Sequence, residues 1–151
     1  MEITPAFVLI IESHPMMRSA LCTAIAAEPD LKAVALDFTT KESMNISIID
    51  DVLFFPSKPD IILLALGNPG RNELEVLSAL CKTLPCTPIL ALTNNEVVGQ
   101  EEAALDHGAQ AVLTKAAPRA ELIRVLRELR TKAFMNHSEN QLEQEVNGNI
   151  S

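Results

Sequence analysis

A few stretches of this chain carry side chains that could do chemistry. Glu12, Ser13 and His14 follow directly on the apolar run AFVLII, Thr93 closes ILALT, and Lys115 closes VLTK. A carboxylate beside an imidazole invites a metal ion, but one His with one carboxylate falls short of a ligand set. His107 and His137 have no evident partners either. The turn Gly67-Asn68-Pro69-Gly70 superficially resembles a phosphate loop, yet it has neither the lysine nor the spacing of one, and it is predicted as a plain turn after a strand. Cys22, Cys81 and Cys86 are an odd set without paired spacing, so buried or free thiols are expected. Neither a metal nor any other cofactor is expected.

These residues need a scaffold to bring them together, and the apolar patterning supplies one. Ala6 to Ile11 is a short continuous apolar run, the signature of a strand buried on both faces of a parallel sheet. After Ser13-His14-Pro15 the spacing turns helical through Met17, Leu21, Ala24 and Ile25, with Pro15 in the tolerated first turn and Pro29 beyond the end. Leu31 to Phe38 and Ile61 to Leu66 are predicted strands, and Met44, Ile48, Val52 and Phe55 could line one face of a helix between them. Leu74, Leu77, Leu80 and Leu84 predict a helix over 72–84, followed by a strand at Ile89 to Leu92. Asn94 or Asn95 can cap a helix running to Asp106, ended by Gly108. A short strand at Ala111 to Leu113 and a helix from Pro118 to about Phe134 complete the series.

Strands alternating with helices imply an α/β fold, a doubly wound five-stranded parallel sheet with helices on both faces. Ligand chemistry then belongs at the carboxyl ends of the strands. The segment 136–151 is polar with little to bury and is expected to be a tail or linker, leaving 1–135 as one domain. The 151 residues suit a single core, at 48% hydrophobic and 21% charged. A net charge of -8 repels phosphate backbones and anionic lipid heads, which argues against direct nucleic-acid or membrane binding. No apolar stretch approaches the roughly 18 residues of a membrane span. The opening Met1-Glu2-Ile3-Thr4-Pro5 lacks the basic start of a secretory signal, so a cytoplasmic location is expected.

With that topology in hand, VLIIESHPMMRSAL, PDIILLALGNPG, and ILALT followed by DHGAQAVLTK fall at successive strand ends. Together they resemble the receiver domains of two-component response regulators of the NarL/FixJ type, which carry a LuxR-type helix-turn-helix output. The resemblance covers roughly residues 6–133 and implies the flavodoxin-like receiver fold. It also implies a phosphorylation site, with two acidic residues holding magnesium at the first strand and an aspartate accepting phosphate at the third. Here the acidic pair is Glu12-Ser13, and the acceptor position is Ala65. Thr93 matches the hydroxyl that bonds the phosphoryl group, Lys115 matches the site lysine, and Val112 stands at the switch position usually held by an aromatic.

The resemblance therefore implies a degenerate site of Glu12, Ser13, Ala65, Thr93 and Lys115 in an atypical receiver. Phosphoryl transfer needs metal charge neutralisation and an oxygen nucleophile, and Ala65 has none. No catalytic residue and no enzymatic activity are expected. The expected function is a phosphorylation-independent pseudo-receiver, acting in signal transduction and transcription regulation by dimerisation or protein docking. The alternative is a small-molecule sensor that takes an anionic ligand at the vacated acidic site. Lys115 is expected to pair with Glu12, and Thr93 to cap the strand end or the next helix. The last helix concentrates Arg119, Arg124, Arg127, Arg130 and Lys132 against Glu121 and Glu128. A homodimer through Arg124, Arg127 or Arg130 is expected, with the first helix near Met16 and Arg18 as the other surface. A DNA-binding output domain beyond the chain end is a possible partner.

Overall fold

The computed structural model describes residues 4–36 and 45–132. Strands β1 (Ala6–Ile11), β2 (Leu31–Ala35), β3 (Ile61–Ala65), β4 (Ile89–Thr93) and β5 (Ala111–Thr114) form one all-parallel sheet in the order β2-β1-β3-β4-β5. Helices α1 (Pro15–Ala26), α2 (Ile48–Leu53), α3 (Arg71–Thr83) and α4 (Gln100–Asp106) connect them, and α5 (119–132) follows β5.

Successive side chains of a strand point to opposite faces, so each apolar run feeds two cores at once. On one face Leu9, Ile11, Ile62, Leu64, Ile89 and Ala91 pack against Ile48 and Val52 of α2, Val76, Leu77 and Leu80 of α3, and Ala104 of α4. On the other, Val8, Ile10, Ile61, Leu63, Ala65, Leu90 and Leu92 pack against α1 and α5. From these helices come Leu21, Ile25, Leu122, Ile123, Val125, Leu126 and Leu129. β1, β3 and β4 are buried throughout, which is why they read as continuous apolar runs rather than alternating ones.

Three expected boundaries move. β2 ends at Ala35 rather than Phe38, and residues 37–44, with Met44, lie outside the described residues. The predicted helical face is realised only as the short α2: Ile48 and Val52 are buried on it, whereas Phe55 follows its end and stacks near Phe7 with ring centroids 5.5 Å apart. Neither Asn94 nor Asn95 starts α4. The Asn94 side chain accepts a hydrogen bond from the Glu96 amide at 2.9 Å and closes a local turn, and α4 begins only after Gly99, whose φ of 77° suits a residue without a side chain. The expected tail, 136–151, also lies outside the described residues.

Candidate functional site

Parallel register gathers the candidate residues at one edge of the sheet. Ile11 pairs with Leu64 and Ala65 with Leu92, so Glu12 just past β1 sits level with Ala65, the last residue of β3. Thr93 ends β4 opposite Thr114, and Lys115 follows β5, its amide donating to the Thr93 carbonyl at 3.0 Å. Glu12, Ala65, Thr93 and Lys115 thus lie at the carboxyl ends of neighbouring strands, the place where this architecture holds its ligands. Ser13 follows Glu12 and is exposed. Ala65 is 2% exposed and packs into the core shared with α1 and α5.

Glu12 is 4% exposed, and burial lifts its pKa above the ordinary carboxyl range. The Lys115 ammonium, the His14 backbone amide and the His14 ring pull it back, and the carboxylate of Glu73 pushes it further up. The expected direct pair is corrected here: among the described residues no Glu12–Lys115 ion pair lies within 4.0 Å, and Lys115 acts on Glu12 through space. Its chain starts one residue past β5 and remains half-buried. Arg18 donates to the Glu12 carbonyl at 3.2 Å and so ties α1 to the same strand end.

Thr93 is buried, and its hydroxyl donates to the Leu113 carbonyl at 3.4 Å, so it stitches β4 to β5 and caps no helix. Val112 is half-buried on β5 and packs against the α2–α4 core. It lines a shallow groove of about 390 Å³ together with Thr114, Ala117, Pro118, Glu101 and Glu121. Gly67–Gly70 bends the chain between β3 and α3, as a turn there was expected to do, and its Asn68–Pro69 bond is cis.

Two residues of the site escape inspection of the sequence alone. Glu73, in the first turn of α3, lies so close over Gly67 that a Cβ there would stand 2.9 Å from its Oε1. An acidic first turn is an ordinary helix feature and gives no sign of what it will face. Gln100 is 2% exposed and hydrogen-bonds both loops that flank the site. Its only sequence signal is a polar residue at the buried start of a helix.

The arginines of α5 have partners in their own chain. Arg127 grips both carboxylate oxygens of Asp30, at 2.9 and 3.0 Å, and reaches Glu28 at 3.6 Å. Arg130 donates to the carbonyls of Asp30 and Thr4, and Arg119 to that of Ala24. Arg124 pairs along the helix with Glu128 at 2.7 Å. Arg127 and Arg130 therefore pin the α1–β2 turn and the segment before β1 to α5. Burial raises the thiol pKa of the half-buried Cys22 and Cys81, and Cys86 is exposed. His107 bonds the Ala103 carbonyl, His14 is exposed, and His137 lies outside the described residues. No cluster of metal-ligating side chains and no helix long and apolar enough to cross a membrane occurs among the described residues.

Sequence and structure comparisons agree with this fold. The chain is 28% identical over 124 residues to the nitrate/nitrite response regulator protein NarL of Escherichia coli, covering 82% of this chain and 54% of that protein. It is 25% identical over 120 residues to the transcriptional regulatory protein LiaR of Bacillus subtilis, covering 80% and 54%. The chain thus spans about half the length of these relatives. A CheY-like response regulator receiver domain protein from Methanospirillum hungatei shares the fold at a TM-score of 0.69 and 13% identity, covering 88% of this chain and 99% of that one. The response regulator receiver domain family matches residues 8–127, and the chain belongs to it.

Proposed function

We propose that this chain is a pseudo-receiver: a receiver domain that takes part in signal transduction and transcription regulation through dimerisation or docking, without accepting phosphate. The observation that carries the reading is Ala65. It closes β3 level with Glu12, buried in an apolar core, and residues 61–70 contain no Asp or Glu to serve as nucleophile. Ser13 offers a neutral oxygen where magnesium prefers a carboxylate. The relatives NarL and LiaR are named as regulators, and the chain spans about half the length of each, which supports a role in transcription exercised through a separate output domain.

An anionic ligand at the same edge is the weaker reading. Glu12 and Glu73 stand beside Lys115 there, and the Arg18 guanidinium is already turned onto the Glu12 carbonyl, so the edge lacks the concentration of unopposed cations that an anion site needs.

Amide NMR with beryllofluoride and magnesium tests the proposal. The spectrum is expected to be unchanged by the pair of reagents, and magnesium-dependent shifts at Ala65, Thr93 and Lys115 would overturn it. Restoring both carboxylates, Ser13→Asp with Ala65→Asp, is expected to bring back part of the response.

A further inference from the structure

We infer that Gln100 is a latch that joins the β3–α3 loop to the β4–α4 loop and holds the candidate site in one arrangement. Its carboxamide nitrogen donates to the Gly67 carbonyl at 2.8 Å and to the Pro69 carbonyl at 3.3 Å. Its oxygen accepts from the Asn94 amide at 2.6 Å. Only this orientation works, because a flipped amide would set oxygen against two carbonyls and nitrogen against an N–H. A buried glutamine with all these bonds made is rigid, and leaving any of the groups unpaired in that setting is unfavourable.

The loop is built to receive it. Gly70 has φ of +83°, and a Cβ there would lie 2.6 Å from the Gln100 nitrogen and 2.9 Å from the Gly67 carbonyl oxygen. A side chain at position 70 would strain the backbone and push the carboxamide out of its slot. The two segments Gln100 joins leave adjacent strands, β3 after Ala65 and β4 after Thr93, so they flank the site from two sides. Movement of either loop must break bonds to the other. The latch rests on this geometry alone, whether or not the site accepts phosphate.

Amide hydrogen exchange on the full chain, read by NMR, tests it. In Gln100→Met the Asn94 amide is expected to exchange about tenfold faster, the equivalent of one lost net hydrogen bond, while Leu9 and Leu63 in β1 and β3 change only with global stability. Gly70→Ala is expected to speed exchange at Asn94 in the wild-type background and to add nothing in Gln100→Met, because the connection has already gone. Additive effects, or Asn94 exchange that moves only in step with Leu9 and Leu63, overturn the latch. Should Gly70→Ala not fold, Gln100→Glu replaces it. That variant keeps an acceptor for Asn94 but sets oxygen against the Gly67 and Pro69 carbonyls, and faster exchange at Gly70 and Arg71 is expected. Unchanged exchange there overturns the latch equally.

Discussion

Glu12 holds an ionisable group almost out of water within the fields of Lys115, His14 and Glu73, so its titration reports the local field directly. The raised pKa means the native state holds the proton more tightly than the unfolded chain does. The stability that Glu12 contributes is therefore full below the ordinary carboxyl pKa and falls as pH rises through its elevated folded value. Replacing it with glutamine is expected to remove that decline, which urea unfolding across mildly acidic to neutral pH would read as a smaller loss of midpoint than in wild type. The neighbours give opposite signs: Lys115→Met is expected to push the Glu12 pKa higher and Glu73→Gln to pull it lower. Carbon-detected NMR titration of the Glu12 carboxyl measures both, and shifts of the same sign would show that the charges have been placed wrongly. The site residues at strand ends were legible because their positions follow from topology. Glu73 and Gln100 were not, since what a helix's first turn faces depends on how two loops fold over the sheet. The expected Glu12–Lys115 contact failed for a related reason: both residues are placed by the fold, but neighbouring strand ends do not force two side chains to meet.

Among the elements, α5 shows how an asymmetric charge pattern can serve packing within one chain. Its inner face buries Leu122, Leu126 and Leu129, and Leu126→Ala is expected to cost about 2–5 kcal/mol in chemical denaturation. Its outer arginines clasp the α1–β2 turn. The Arg127 guanidinium holds the Asp30 carboxyl below its ordinary pKa, so this contribution is present above the ordinary value and is lost as pH falls through the lowered one. Arg127→Ala is expected to flatten that acid-side loss and to lower stability less at high salt than at low, since the pair is open to solvent. A salt-independent loss would mean that the arginine acts through its aliphatic stem instead. Strands β1, β3 and β4 could be placed from sequence to within a residue because burial on both faces leaves no polar interruption. The start of α4 could not, because Asn94 has equal claims as helix cap and as turn residue, and only Gly99's left-handed backbone decides between them.

At the scale of the whole molecule, a doubly wound sheet and membership of the receiver family follow from residues spread along the chain, and these were readable in advance. The expected homodimer is a separate question. Because Arg127 and Arg130 already have in-chain partners, Arg124, whose partners lie on its own helix, is the cleaner probe of an α5 interface. Sedimentation velocity is expected to show a dimer that Arg124→Glu weakens, and a wild-type monomer at high micromolar concentration would remove that part of the proposal. The central claim, that Ala65 leaves the domain unable to accept phosphate, is tested most directly by intact-mass measurement after incubation with acetyl phosphate and magnesium. The account predicts an unchanged mass, and a stoichiometric, acid-labile phosphate adduct would contradict it.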